Sequence, residues 1–386
     1  MLDKNAIRMW VITMYKSFEI HNFKCFRELK LDKLARINLI AGMNNTGKTA
    51  LLEAIFLYSG APNLELALKL NSFRGIGISN LSDESLLISL FRDYASSIIE
   101  LSGEDTLTGY SSVRINPLIH IMVQDTLQLR ETIQGSLSGK DVIKHDTIRQ
   151  EKSLPSSSSQ INRGLQLEYK KGEKSTIYRM TIDSNKSIHF DPFPPSPPFV
   201  TFFYGSREII DPQQQAELYG NLQISGKEDD VLKVLKIIEP RLKRIVSIAT
   251  AGSSMLYGDI GLANLIPLPL MGDGMLHLTN FVLQIANAQN GVVLIDEIEN
   301  GLHYSVMTNV WKAIASAAKE YNTQVFAATH SWECIRYAHE AFSSSKSYDE
   351  DFRLHRLDRQ ENGEITVVTY NQESLDASLE LGWEVR

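Results

Sequence analysis

Apolar side chains alternate with polar ones between residues 17 and 41, in three short runs that predict three β-strands. The third run, residues 37–41, is almost wholly apolar and leads into a glycine-containing segment. From Ala50 to Tyr58 the apolar positions recur at intervals of three and four, which predicts an α-helix. The order is therefore strand, glycine turn and helix.

The pattern is different between residues 61 and 198. It predicts two helices and then two strand-like stretches, at 64–70, 84–101, 113–123 and 165–183. The polar tract 141–160 contains four consecutive serines and predicts a mobile loop. Prolines are frequent in residues 191–198, which we interpret as a stiff connector, with a ligand for a proline-binding module as the alternative.

Strands and helices alternate after residue 199. Strands are predicted at 199–204, 243–250, 254–258, 292–295, 324–328, 352–358 and 363–370, and helices near 207–222, 227–240, 275–289, 303–320, 331–342 and 371–380. This alternation predicts an α/β fold with a mostly parallel sheet flanked by helices. We expect residues 1–60 and 199–386 to form one α/β domain, with an antiparallel β-subdomain near its start and residues 61–198 as a large inserted α+β lobe.

Composition limits the class of protein. The 386 residues are 43% hydrophobic and 22% charged, as in soluble globular proteins. The net charge of −7 argues against nucleic-acid binding through overall charge, so such binding would need a local basic patch. Cys25 and Cys334 are too few for a disulfide framework or a zinc site. Because no apolar run is long enough to span a bilayer, we expect a cytoplasmic protein without membrane contact.

Residues Gly42–Thr49 have the spacing G-x-x-x-x-G-K-T of a phosphate-binding loop. Glycines let the backbone wrap around a phosphate, and the helix N-terminus that follows adds free N–H groups. We expect Lys48 to reach the β- and γ-phosphates and the Thr49 hydroxyl to ligate Mg²⁺. The sequence thus predicts ATP and Mg²⁺ as ligands, with the nucleotide contacted by Asn44, Asn45, Thr46, Gly47, Lys48, Thr49 and Ala50.

A second apolar strand, residues 292–295, ends in Asp296 and Glu297. The carboxyl ends of parallel strands are where α/β folds place their sites. We expect Asp296 to hold Mg²⁺ and Glu297 to act as the general base that polarises the attacking water. On its own, such a pair is also a common way to end a strand, and the phosphate-binding loop favours the catalytic interpretation.

Two further segments fit a phosphate site. His330 follows the apolar strand 324–328 and is expected to contact the γ-phosphate or the attacking water, although a histidine in that place is often structural. Gly272 and Gly274 precede an amphipathic helix, so they form a second potential anion site. Because Lys48 already serves the chain's own triphosphate, the glycines are available to the nucleotide of a neighbouring copy.

These motifs, in this order, resemble those of the ABC-type ATPases of the SMC/RecF/OLD group, especially the OLD-like AAA-type (AAA_15 and AAA_21) ATPases of phage-defence systems. The matching segments are the opening strand at 18–26, Walker A at 42–49, a degenerate signature at 272–275, Walker B at 295–297, a D-loop at 299–303 and the switch histidine at 329–331. The signature lacks the usual serine, and no glutamine is assignable to the Q-loop, whose place Ser206 and Arg207 occupy.

The resemblance implies an ATPase that closes as a homodimer around two ATP molecules, with a higher oligomer as the alternative. OLD proteins carry a C-terminal TOPRIM nuclease, for which the residues after His330 are too few, so a separate nuclease-like effector is expected.

The alternative is an SMC/RecF-like ATPase of DNA repair or maintenance, which would use the basic residues Arg241, Lys243 and Arg244 or Lys170, Lys171 and Lys174. A transporter subunit or a small-molecule kinase is disfavoured.

Overall fold

A computed structural model of the chain contains sixteen strands and nine α-helices among the residues that it describes. These are residues 14–74, 87–94, 97–106, 109–118, 163–182, 187–197, 199–206, 210–250, 252–343 and 345–386. The tract 141–160, for which a mobile loop is predicted, lies outside them.

The bounds of the elements are as follows. The strands are β1 (Tyr15–Phe23), β2 (Phe26–Leu31), β3 (Ile37–Ala41), β4 (Ile99–Asp105), β5 (Gly109–Pro117), β6 (Arg163–Lys171), β7 (Lys174–Ile182), β8 (Ile188–Asp191), β9 (Thr201–Tyr204), β10 (Arg244–Thr250), β11 (Ser253–Asp259), β12 (Ile266–Pro267), β13 (Val292–Ile295), β14 (Gln324–Thr329), β15 (Phe352–Arg359) and β16 (Ile365–Tyr370). The helices are α1 (Lys48–Ser59), α2 (Glu65–Phe73), α3 (Pro212–Ile224), α4 (Glu228–Leu235), α5 (Asp273–Asn287), α6 (Met307–Glu320), α7 (Trp332–Phe342), α8 (Tyr348–Asp351) and α9 (Gln372–Glu380).

The central six-stranded sheet has the order β16-β15-β3-β14-β13-β9. The pairs from β15 to β9 are all parallel, and only β16 is antiparallel, at the edge. Every residue of β3, β13 and β14 is buried, as expected for strands that are covered on both faces. The predicted α/β fold with a mostly parallel sheet flanked by helices is confirmed.

Alternate side chains of this sheet enter two different hydrophobic cores. Leu39 and Ile295 point to the side that carries α3 to α7, where Trp311 of α6 is fully buried. Ile40 and Leu294 point to the opposite side, toward α1 and a second sheet. The central sheet is thus the middle layer, and the carboxyl ends of its parallel strands share one edge.

The second sheet is antiparallel, with the order β2-β1-β4-β5-β6-β7-β8. Strand β1 pairs with β2 on one side and with β4 on the other, so strands from both sides of residue 60 belong to one sheet. The expected antiparallel β-subdomain therefore continues into the segment 61–198. The division of the chain at residues 60 and 198 stays a prediction. A small third sheet contains β10, β11 and β12.

The helix predicted over 84–101 is wrong in its second part. A short 3₁₀ helix covers Arg92–Tyr94, and β4 begins at Ile99. Leu101 lies opposite Ile20 on one side and Val113 on the other, so pairing with two strands decides the conformation of this apolar run.

The stretch 165–183 is two strands, β6 and β7, joined at Gly172, whose φ is 59°. Strand β5 begins earlier than predicted, and residues 119–123 lie outside the described part.

None of the helices in the described part of the chain is both long and apolar enough to cross a membrane.

Candidate nucleotide-binding site

The phosphate-binding loop lies between β3 and α1, as the sequence predicts. Gly47 has a φ of 90°, which an L side chain rarely adopts. A Cβ atom at Gly47 would come within 2.8 Å of both Cys25 Sγ and Phe26 Cζ. The loop therefore needs glycine here for its backbone conformation and because it is packed against the β1–β2 turn.

Lys48 is folded across the mouth of this loop. Its ammonium group donates hydrogen bonds to the carbonyl oxygens of Gly42, at 2.7 Å, and Met43, at 2.8 Å. Burial lowers the pKa of Lys48, and the negative charges of Asp296, Glu299 and Glu297 oppose that shift. Helix α1 has no side-chain cap among the described residues, so its first N–H groups are free to bind an anion.

Asp296 lies next to Thr49 although the two residues are far apart in the chain. The Thr49 hydroxyl donates to Asp296 Oδ2 at 2.8 Å. Burial raises the pKa of Asp296 to about 6, helped by the charge of Glu297 and opposed by the Thr49 hydrogen bond. A hydroxyl and a carboxylate are oxygen ligands that suit Mg²⁺, which usually takes its remaining ligands from phosphates and water. These two residues therefore fit the magnesium that a P-loop ATPase uses.

Glu297 follows Asp296 in an unusual backbone conformation, with a φ of 51°. Asn300 Nδ2 donates to Glu297 Oε2 at 2.7 Å, which fixes the direction of this carboxylate. Glu297 lines the same cavity as Lys48 and Asp296. The contact of Asn300 with Glu297 was not predicted, and the position of Asn300 three residues after Glu297 is the local signal for it in the sequence.

His330 lies at the end of β14 and is held by a residue that the sequence analysis did not single out. Glu299 Oε1 accepts a hydrogen bond from the backbone N–H of His330 at 2.9 Å and lies 3.2 Å from His330 Nδ1. The His330 side chain is 44% exposed. It is not among the residues that line the nucleotide cavity, so its predicted contact with the γ-phosphate stays a prediction.

The nucleotide cavity has a volume of about 930 Å³. Six of the seven predicted loop contacts line it. Thr46 does not, and its hydroxyl donates a hydrogen bond to the carbonyl oxygen of Met43. Ser206 lines the cavity, whereas Arg207 lies outside the described residues. Other wall residues come from separate segments and were not predicted: Lys24, Glu53, Asn71, Phe73, Arg74, Ser89, Phe91 and Phe203.

Gly272 and Gly274 line a different cavity, of about 380 Å³, together with Glu239, Asp273 and His303. Gly272 has a φ of 102° and precedes the first residue of α5. No residue among those described lines both cavities. Within one chain, the structure therefore brings Lys48, Thr49, Asp296 and Glu297 together and leaves the two glycines apart from them.

The chain matches the AAA_21 family, described as "AAA domain, putative AbiEii toxin, Type IV TA system", over residues 37–335. The chain belongs to this family. The matched segment includes the phosphate-binding loop, Asp296, Glu297 and His330. Family membership and the loop geometry together identify the chain as an ATP-hydrolysing P-loop enzyme.

A curated relative has a similar length. The chain is 24% identical to an "ATP/GTP phosphatase" of Helicobacter pylori over 384 residues, which cover 94% of this chain and 97% of the relative. Among solved structures, an SMC head bound to the C-winged helix domain of ScpA matches with a TM-score of 0.46 and 11% identity, covering 95% of this chain and 99% of that one. The SMC head domain of Thermotoga maritima matches with a TM-score of 0.41 and 10% identity, covering 92% of this chain and 99% of that one.

Proposed function

We propose that this ATPase acts as a homodimeric, ATP-gated clamp or sensor that regulates a separate effector, a nuclease in anti-phage defence. The observation that carries the proposal is the separation of the two cavities. The nucleotide cavity holds the loop and the carboxylates, whereas Gly272 and Gly274, at a helix start suited to an anion, share no wall with it. In a head-to-tail pair, the glycines of each copy would face the triphosphate of the other.

The residues have distinct tasks in this proposal. Lys48 and the loop N–H groups bind the β- and γ-phosphates, and Glu297, oriented by Asn300, takes a proton from the attacking water. Thr49 and Asp296 would hold Mg²⁺, which neutralises phosphate charge when it is bound. His330, positioned by Glu299, contacts the γ-phosphate or the water. ATP favours the closed pair and hydrolysis reopens it, because the triphosphate binds the two states with different affinity.

Glu297→Gln tests the clamp. The substitution removes the base but keeps the side-chain shape, so we expect hydrolysis to fall by about 10²–10⁴-fold while ATP and Mg²⁺ convert the protein to a species of twice the chain's mass. Light scattering with ATP, with ADP and without nucleotide measures this change. A variant that binds ATP but stays monomeric at every concentration would overturn the clamp.

The family description, which names a type IV toxin–antitoxin system, supports the proposal of a partner protein. The proposal also assigns the chain to the cytoplasm, where ATP is available. If it is correct, cells that carry the gene with its genomic neighbours resist phage, and Lys48→Ala restores plaque formation. Equal plaque numbers for both genotypes would exclude the defence role.

DNA binding remains the alternative, and the described contacts do not favour it. Arg241 pairs with Glu239 at 2.8 Å and Arg244 with Asp259 at 3.1 Å, so carboxylates neutralise most of that basic cluster. Lys170, Lys171 and Lys174 lie at the β6–β7 turn. DNA binding that weakens steeply with salt would instead support the repair or maintenance function.

A further inference from the structure

A buried carboxylate in α1 holds two cations at the wall of the nucleotide cavity. Glu53 is fully buried. Its Oε2 atom accepts from Lys24 Nζ at 2.5 Å and from Arg74 Nη2 at 2.9 Å, and its Oε1 atom accepts from Arg74 Nε at 2.7 Å. The contact with Arg74 is thus bidentate, the geometry that fixes a guanidinium most firmly. One carboxylate thereby joins the β1–β2 turn, α1 and the end of α2.

The cluster has one more positive charge than negative charge. Lys24 and Arg74 are two cations for the single carboxylate of Glu53, and both line the cavity with Lys48. The Arg74 side chain is 46% exposed, so it is the cation with more freedom to contact a ligand. Hydrogen bonds that Arg74 donates to Glu53 raise the pKa of Arg74, and the negative charge of Asp296 adds to this effect. Arg74 and the metal-site carboxylate of Asp296 line the same cavity.

Asn71 adds an unused donor to the same wall. Asn71 lies in the last turn of α2, and its carbonyl oxygen accepts a hydrogen bond from the backbone N–H of Arg74, just past the helix end, at 3.1 Å. Its side chain is only 3% exposed and lines the cavity. Its Nδ2 atom has no hydrogen-bond acceptor among the described residues. A buried donor without a partner is costly, which points to an acceptor supplied by a ligand.

The end of α2 is held firmly enough to position these groups. Phe73 stacks on Phe203 of β9, with ring centroids 4.5 Å apart and planes at 9°. Phe56 of α1 packs edge-on against both rings. The helix end is therefore fixed to the central sheet as well as to Glu53.

We propose that Arg74 and Asn71 form a second contact for the nucleotide, in the same chain as Lys48, and that Glu53 is the positioning residue that holds Arg74 there. The Arg74 side chain has only donors, and the unpaired atom of the Asn71 amide is a donor, so the matching ligand atoms are acceptors. Arg74 lines the same cavity as Lys48, Asp296 and Glu297, the residues proposed to surround the terminal phosphate of ATP, and this shared wall assigns its contact to that phosphate. The proposal rests on nucleotide binding in the ATPase site and is independent of dimerisation.

Arg74→Gln is the sharpest test, because a half-exposed side chain can be replaced without opening the core. A charged hydrogen bond to phosphate corresponds to about 10-fold or more in affinity. We therefore expect the dissociation constant of AMP-PNP with Mg²⁺ to rise by about 10-fold or more, and that of ADP by much less. Isothermal titration calorimetry on dilute, monomeric protein measures both. The matched control is Lys69→Gln, which removes an exposed cation from α2.

Glu53→Asp and Asn71→Ala complete the test. In Glu53→Asp the shorter carboxylate keeps the charge but cannot hold Arg74 in the same place, so we expect the affinity for AMP-PNP to fall more than the affinity for ADP. We expect Arg74→Lys to bind AMP-PNP more tightly than Arg74→Gln, because it keeps the positive charge. Asn71→Ala should weaken nucleotide binding without lowering stability. Equal affinities of Arg74→Gln and wild type for AMP-PNP would overturn the inference, and an equal loss for AMP-PNP and ADP would overturn the assignment to the terminal phosphate. Failure of the wild type itself to bind AMP-PNP would instead count against the nucleotide site as a whole.

Discussion

The two cavities of this protein differ in how completely one chain builds them. In the nucleotide cavity, Lys48 and Asp296 are 9% and 4% exposed, and each is already hydrogen-bonded within the chain. In the smaller cavity, Gly272 and Asp273 are exposed, and the neighbouring Leu270 is 76% exposed. The first site is thus preorganised, whereas the second offers backbone and apolar surface with few contacts of its own.

This difference indicates a division of labour. Burial of Lys48 and Asp296 strengthens their electrostatic interactions, because charges interact more strongly away from bulk water. The exposed glycine segment can gain comparable contacts only from another molecule that covers it. A head-to-tail second copy would bring such a surface, with a phosphate already bound.

The largest effect is expected from Lys48→Ala, which removes a cation from the preorganised nucleotide cavity. Removal of a cation aimed at the phosphates costs about 10²–10³-fold in hydrolysis. Phosphate release at saturating ATP measures the loss, with Lys69→Ala as the matched control. Activity within a few-fold of wild type would mean that Lys48 serves only to hold the carbonyl groups of Gly42 and Met43.

A mixing experiment tests whether the smaller cavity acts on the nucleotide of a second copy. The Cβ position of Gly274 faces open space apart from Leu302 at 3.8 Å, so Gly274→Trp should fold and fill the smaller cavity. If the glycines act on the neighbour's nucleotide, Gly274→Trp and Lys48→Ala are each inactive alone. Their equimolar mixture then regains about a quarter of wild-type hydrolysis, because one site in four combines intact halves. A mixture no more active than its components would show that the cavities do not cooperate between chains.

The sequence revealed the preorganised cavity well because its main motifs are local. Gly42–Thr49 lies between a strand and a helix whose periodicities are clear, and Asp296 ends an apolar strand, so parallel pairing was enough to bring them to one edge. By contrast, Lys24, Glu53 and Arg74 meet only through packing of three separate segments. In the sequence these charged residues look like ordinary surface residues, and only the contacts of Lys24 and Arg74 with the buried Glu53 show the cluster.

The conformation of β4 could not be predicted for a related reason. Ile99 and Leu101 belong to a short apolar run that is compatible with a helix or a strand. Pairing with β1 and β5, which are distant in sequence, decides between them. The contact of Glu299 with His330 is also long-range and needed the register between β13 and β14.

The smallest effect concerns stability and pH. Burial raises the pKa of Asp296 from its ordinary 3.8 to about 6, so the folded protein binds a proton more tightly than the unfolded chain. Stability is therefore lost as the pH rises from about 4 to 6, by up to about 3 kcal/mol. Asp296→Asn removes this cost and should raise the unfolding free energy of the nucleotide-free protein at pH 7.5. The advantage should shrink as the pH falls toward 4, where the wild-type carboxyl is protonated.

Thermal unfolding of wild type and variant at several pH values measures this difference. Asp259→Asn is a control for which the unfolding free energy should change in the opposite direction. Hydrogen bonds from the Gly261 backbone and Arg244 lower the pKa of Asp259, so removal of this carboxylate should destabilise the protein at neutral pH. Because Asp296→Asn also removes a proposed Mg²⁺ ligand, any hydrolysis that remains should need higher Mg²⁺ concentrations. A variant that is less stable than wild type at pH 7.5 would mean that the Thr49 hydrogen bond outweighs the cost of burying the charge. A more stable but inactive variant would instead show that the nucleotide cavity keeps a destabilising carboxylate for its chemistry.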